Sequence, residues 1–345
     1  MRTLDQLVRP NVREMAPYSC ARNEFHGDAS VFLDANENPY NSAYNRYPDP
    51  LQWKLKERIA ELKGVDVNSI FLGNGSDEAI DLPMRIFCEP QSDNIVSMWP
   101  SYGMYETAAA VNNIAFKKVE LNESFEIDAN RILDAVDKHT KLIFLCSPNN
   151  PTGNCLNPDA IIQIIKSFDG IVILDEAYGD FSSAPSFLQR LKQFSNLIVL
   201  QTMSKAWGAA GIRLGMAFAS PEIIALYNKV KYPYNINILT QERALELLNN
   251  SGKMKEQLAS ILAERTRLKR QLTEFSFVKK IYPTDANFLL VNVGAADLIY
   301  DYLMNKGVIV RNRNSVSLCL GCLRITVGTP TDNDSLINAL KQYKS

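Results

Sequence analysis

Five short, mostly apolar runs punctuate the middle of the chain, at 70–72, 94–97, 142–145, 171–174 and 197–200. They are continuous rather than alternating, which predicts strands covered on both faces, as in a parallel sheet. Segments of helical length, such as 158–168, lie between them. Strand and helix in turn imply an α/β domain with functional loops at the strand ends. Beyond about Asn237 the period changes. Met254, Leu258, Ile261, Leu262, Leu268, Leu272 and Phe275 recur at helical spacing and predict the packing face of a long amphipathic helix. After it come a strand-like stretch at 287–293, a helix at 296–305, strands at 308–310 and 323–327, and a last helix. The first residues contain Pro10 and Pro17 and little periodicity, and read as an extended arm. The expected organisation is an N-terminal arm (1–30), a large α/β domain with a mainly parallel sheet flanked by helices (31–236), and a smaller α+β C-terminal domain (237–345). No internal repeat or low-complexity segment interrupts it.

Composition narrows the function classes. The 345 residues are 46% hydrophobic and 22% charged, with a formal net charge of -1, enough apolar residues for a large core. Lys and Arg are scattered among Asp and Glu, so no basic stripe suits nucleic acid or an anionic membrane. The N-terminal fifteen residues are charged throughout and lack a signal-peptide core, and no apolar run reaches membrane-spanning length. A soluble, cytoplasmic protein is the expectation. Of the six cysteines, Cys20, Cys88, Cys146 and Cys155 stand apart from one another. Cys319 and Cys322 form a C-x-x-C with no second pair or histidine beside it, so buried structural thiols are expected and no metal site. His26 and His139 lie in no motif and read as surface residues.

The candidate chemistry sits where the strands end. TMSKAWG begins at Thr202, directly after the run at 197–200, and places Lys205 at a strand terminus between small hydroxyl residues. Taken alone, Lys205 serves equally as a ligand anchor or as an ordinary solvated lysine. Arg213 follows in GIRLG, and with Thr202 and Ser204 it supplies two hydroxyls and a guanidinium fork for a phosphate. GNGSDEA, from Gly73, is a second phosphate cradle: glycines admit backbone N–H groups to an anion, and the following helix aims its positive end at it. Ser76 reads as the helix cap. The loop is not a dinucleotide fingerprint, because Glu78 stands at the third glycine position, and no Walker lysine follows. In IVILDEAY, Asp175 ends an apolar strand, where a carboxylate needs a positive partner; a protonated pyridine nitrogen is one. Metal binding and helix capping are the other readings of Asp175. SPNNPTG, from Ser147, makes a rigid loop that holds Asn150 as an amide donor, or is simply a turn.

Together, and in this order along nearly the whole chain, these elements resemble the fold-type I pyridoxal phosphate-dependent aminotransferases. PY at 17–18, LDANENP at 33–39, RYPDP at 46–50, FCEP at 87–90, PSYGMY at 100–105 and GCLRITVG at 321–328 are similar to the branch of that family acting on histidinol phosphate. The resemblance implies pyridoxal 5′-phosphate as cofactor, carried covalently by Lys205. It implies that Asp175 pairs with the pyridine nitrogen, Asn150 and Tyr178 bond the ring oxygen, and Tyr102 stacks on the ring. Ser76, Asp77 (through its backbone), Thr202, Ser204 and Arg213 would hold the cofactor phosphate. Tyr47 would reach the site from the partner subunit, so a homodimer is implied. Arg324, with Tyr18, Asn38 and Arg311 beside it, would bind the substrate anion. The implied reaction is a ping-pong amino transfer between histidinol phosphate and 2-oxoglutarate, giving imidazole acetol phosphate and L-glutamate, as a step of histidine synthesis. Lys205 would serve as its base. An aromatic amino-acid aminotransferase and a phosphothreonine decarboxylase share the cofactor residues. A sensory regulator with an aminotransferase-like domain is disfavoured, because no DNA-binding extension accompanies Lys205, Asp175 and Arg213.

Overall fold

The apolar runs pair with one another because each has two faces to bury. In the computed structural model, which describes residues 2–18, 30–40 and 43–343, they form a seven-stranded sheet. Its strands are β1 (Ile70–Asn74), β2 (Asn94–Trp99), β3 (Ala115–Glu120), β4 (Thr140–Cys146), β5 (Ile171–Asp175), β6 (Leu197–Thr202) and β7 (Leu214–Phe218), in the order β1-β7-β6-β5-β4-β2-β3. Neighbours from β3 to β6 are parallel; β7 lies antiparallel to both β6 and β1. The mainly parallel α/β expectation holds. Two strands escape the apolar-run reading. β3 carries Lys117 and Lys118 and is one of the two edge strands, where charge discourages pairing with another chain. β7 follows its neighbour after an eleven-residue loop with one 3-10 turn (Ala210–Ile212), with no α-helix to announce it.

Both sheet faces are covered. Ser76–Phe87, Met104–Val111 and Pro221–Val230 pack on one face, and Trp53–Lys63, Ala129–Asp134 and Pro158–Ser167 on the other. The first residues differ from the extended arm expected of them. Leu4–Leu7 and Pro10–Glu14 are short helices, the second started by a proline at its first turn. Leu7, Val8 and Val12 are buried in the core, which outweighs the weak local periodicity. Cys20 and His26 lie outside the described residues.

The C-terminal part contains an antiparallel sheet of β8 (Lys280–Ile281), β9 (Phe288–Asn292), β10 (Arg311–Asn312) and β11 (Cys322–Thr326), ordered β10-β11-β9-β8. Ser251–Leu272, Ala296–Asn305 and Pro330–Lys341 are its helices. The strand expected at 308–310 is displaced. Val308 N–H still bonds the Leu303 carbonyl as the preceding helix closes, so the ladder begins only at Arg311, opposite Arg324. Cys319 and Cys322 are buried free thiols, and burial pushes them up to about 12 and about 11. No group of residues fit to hold a metal ion occurs among the described residues, and none of their helices is long and apolar enough to cross a membrane.

Candidate active site

The carboxyl ends of β1, β2, β4, β5 and β6 open on one cavity of about 560 Å3. Its lining includes Ser76, Asp77, Tyr102, Asn150, Asp175, Tyr178, Thr202, Ser204, Lys205, Arg213, Arg311 and Arg324. Residues drawn from a span of roughly 250 positions thus meet at the strand ends, where open α/β sheets bind ligands. Three expected site residues stay outside that lining. Tyr47 stacks on Tyr234 with ring centroids 4.5 Å apart. Tyr18 is exposed, and Asn38 accepts a hydrogen bond from the Tyr40 N–H at 2.9 Å.

The anion cradle is built from backbone as much as from side chains. Gly75, at φ +77°, is the cap of helix Ser76–Phe87, and it makes no side-chain capping bond. Ser76 therefore is not the cap, as its sequence context suggested, but the first helical residue. The left-handed turn calls for glycine, and it leaves N–H groups of the first turn facing the cavity. A Cβ on Gly75 would lie 2.5 Å from Arg213 Nη2, so the guanidinium rests directly on this turn. Arg213 is itself at φ +55°, its carbonyl accepts from Gly75 N–H at 2.8 Å, and its guanidinium meets Asp77 Oδ2 at 3.2 Å. Thr202, which also lines the cavity, donates its hydroxyl to Ser204 Oγ at 3.0 Å. Helix dipole, guanidinium and hydroxyls converge on a space suited to one phosphate group.

Asp175 closes the floor. It is fully buried, with Oδ2 accepting from the Tyr105 hydroxyl at 2.7 Å and Oδ1 from Ala177 N–H at 2.9 Å. No cation pairs with it among the described residues. Burial pushes its pKa up, opposed chiefly by the Tyr105 bond. A buried carboxylate that meets the cavity without a positive partner fits a cationic ring nitrogen. Tyr105 is a site residue that sequence reasoning quoted but gave no role. Its ring stacks on Phe144 at 4.9 Å, so the hydroxyl that orients Asp175 is held by the core. Tyr102, above, bonds Asp77 Oδ1 at 3.3 Å, and burial with the nearby carboxylates raises it to about 12.

Asn149 and Asn150 divide the work of their loop. Asn149 is buried and ties the loop down, donating to the Pro100 carbonyl at 2.9 Å and accepting from Ser101 Oγ at 2.9 Å. Asn150 is left to face the cavity, where Oδ1 accepts from Arg324 Nη1. Arg324 also lies over the Phe288 ring, 5.3 Å from its centroid. The Lys205 side chain projects into the cavity 5.5 Å from the Tyr178 ring centroid. Although that amine is open to the cavity, the surrounding protein withholds water and lowers its pKa. Arg324 and Arg213 push the same way, Asp175 and Asp77 the other. Arg313 lines the cavity too and was missed; the period-two spacing of Arg311 and Arg313 was its signal.

Comparison with known proteins agrees with this geometry. Residues 21–340 match the family model for aminotransferase class I and II. A protein of Parabacteroides distasonis named histidinol-phosphate aminotransferase is 65% identical over 344 residues, covering 100% of both chains. The crystal structure of the histidinol-phosphate aminotransferase from Clostridium acetobutylicum superposes with a TM-score of 0.79 at 27% identity, over 86% of this chain and 90% of that one. The enzyme of that name from Sinorhizobium meliloti, in complex with pyridoxal-5′-phosphate, shares the fold at a TM-score of 0.79 and 24% identity, over 89% of this chain and 88% of that one. With the strand-end cavity, its lysine and its family match in agreement, the chain belongs to the class I and II aminotransferases.

Proposed function

We propose that this aminotransferase moves an amino group between histidinol phosphate and 2-oxoglutarate, giving imidazole acetol phosphate and L-glutamate, as a step of histidine synthesis. One observation carries the reading: a single cavity joins an amine with a lowered pKa, a buried carboxylate lacking a cation, a phosphate cradle and a separate wall of arginines. The full-length likeness to the Parabacteroides distasonis enzyme supports the choice of substrate. When bound, pyridoxal 5′-phosphate supplies the aldehyde that accepts the amino group and the ring that takes up electrons.

The residues present divide the remaining tasks. Lys205 would hold the cofactor and carry the substrate α-proton; desolvation keeps its amine neutral enough to act as a base. Asp175, set by Tyr105, would hold the ring nitrogen in its protonated form. Ser76, Asp77 through its backbone, Thr202, Ser204 and Arg213 would bind the cofactor phosphate. Tyr102 would cover the ring, while Asn150 and Tyr178 would bond its oxygen. Arg324 and Arg311 take the substrate anion, meeting the phosphate ester of one substrate or the α-carboxylate of the other. Tyr18 and Asn38, proposed to join Arg324 at the substrate, lie outside the cavity of the single chain.

The reading includes a homodimer in which Tyr47 of each chain completes the other's site. Its support is the segment around Tyr47, which exposes Val31, Leu33, Tyr40 and Tyr44, an apolar patch suited to a partner. The proposed setting is the cytoplasm, where a charged, membrane-impermeant phosphate ester is retained. Mixing the purified holoenzyme with histidinol phosphate and 2-oxoglutarate is expected to form glutamate, with bleaching and recovery of the cofactor absorbance. No turnover with histidinol phosphate beside rapid reaction with phenylalanine would overturn the substrate and leave the aminotransferase chemistry standing.

A further inference from the structure

Three guanidinium groups, those of Arg311, Arg313 and Arg324, line the cavity. The backbone brings them together. Arg311 pairs with Arg324 across β10 and β11, and Arg313 N–H bonds the Cys322 carbonyl at 3.0 Å, extending the ladder beyond β10. Two residues on from Arg311, strand alternation returns the Arg313 side chain to the same face. Arg324 has Asn150 and the Phe288 ring as partners. Arg313 has no ion pair among the described residues, and its buried Nε has no hydrogen-bond partner. Burial, then repulsion from Arg324 and Arg311, pulls its pKa down to about 10. A buried donor left unsatisfied beside two like charges is costly unless an anion meets it.

We infer that Arg313 is a specificity-determining residue: it supplies the additional guanidinium that a phosphate ester engages and a carboxylate leaves unmatched. The inference rests on the proposed reaction with histidinol phosphate. A phosphate monoester carries a charge of roughly -1.5 to -2 near neutral pH and three strong acceptor oxygens. It can take donors from Arg324, Arg311 and Arg313 at once. A carboxylate offers one charge and two oxygens, which Arg324 and one neighbour satisfy. The enzyme must accept both anions on one wall in alternate half-reactions, and Arg313 weights that wall toward the phosphate.

The test compares wild-type holoenzyme with Arg313→Gln and Arg313→Lys in the two half-reactions, followed by cofactor absorbance. For Arg313→Gln, kcat/KM with histidinol phosphate is expected to fall about 10- to 100-fold, chiefly through KM, as for loss of a charged hydrogen bond. The loss with glutamate is expected to be less than about fivefold, the carboxylate engaging Arg324 first. Arg313→Lys, keeping the charge without the fork, should fall between. Equal losses on both donors, or none with histidinol phosphate, would overturn the inference. If the wild type does not turn over histidinol phosphate, the substrate reading fails separately. Inhibition of its reaction with glutamate by inorganic phosphate and by acetate then decides: a phosphate preference lost in Arg313→Gln supports the role, and one retained refutes it.

Discussion

At the scale of single residues, the site places its charges against their ordinary preferences. Lys205 is held toward neutrality and Asp175 toward protonation, both first through burial. For Asp175 the sign of the effect on stability follows directly. A carboxyl group with a raised folded pKa makes the folded chain bind more protons than the unfolded one. Its contribution is therefore fully present below the unfolded value and is lost as pH rises through the folded one. Asp175→Asn should leave the apoenzyme at least as stable as wild type at pH 8, with the difference closing as pH falls toward 4. The same change should reduce kcat on the order of 10²–10³-fold, by analogy with loss of a preorganised electrostatic group. Thermal melts of cofactor-free protein across pH, beside activity of reconstituted enzyme, measure both. An apoenzyme of the variant melting well below wild type at pH 8 would show that Asp175 is satisfied without the ring.

At the scale of elements, the phosphate cradle depends on how closely helix Ser76–Phe87 approaches β7. A Cβ on Gly215 would lie 2.2 Å from the Ser76 backbone nitrogen and 2.4 Å from the Gly75 carbonyl carbon. These are backbone atoms that cannot turn aside, so helix and strand must separate. Gly215→Ala is expected to destabilise the protein by about 1–3 kcal/mol, the usual cost of overpacking. It should also weaken cofactor affinity at least about tenfold, because the N–H groups and Arg213 no longer share one centre. Titration of apoenzyme with pyridoxal 5′-phosphate, alongside a melt without it, separates the two effects. Unchanged affinity with a lowered melting temperature would mean that the helix terminus does not set cofactor binding.

At the scale of the whole molecule, the cavity of one chain contains neither Tyr47 nor the other described residues of the 31–47 segment. A shared-site dimer makes that incompleteness a source of complementation. In such a dimer Lys205→Ala would lack the base in its own cavity, and Tyr47→Ala would spoil only the cavity of its partner. Each homodimer should be inactive or nearly so. Mixed dimers would then hold one cavity with both residues intact, and refolding the variants together at equal amounts should recover about a quarter of wild-type activity, as random pairing of a two-fold dimer requires. No recovery from mixtures that do form mixed dimers would place Tyr47 outside the partner's site.

The chain by itself determined most of this arrangement, and it did so where local chemistry is distinctive. Continuous apolar runs marked five of the seven strands, and the residues just past them, Ser76, Asn150, Asp175 and Lys205, meet in the cavity because parallel strands end on one side of a sheet. What remained illegible depends on distance in space rather than on pattern. The N-terminal helices take shape through burial of Leu7, Val8 and Val12 in the core on one face of the seven-stranded sheet. The edge strand β3 carries charge where apolar residues were sought, and β10 begins where pairing with β11 allows. Gly75 rather than Ser76 caps the helix, since a left-handed turn beneath Arg213 leaves no room for a side chain. Only the tertiary structure set Tyr105 under Asp175 and Arg313 beside Arg324, because hydrogen bonding and charge repulsion are decided by distances that a linear order does not contain.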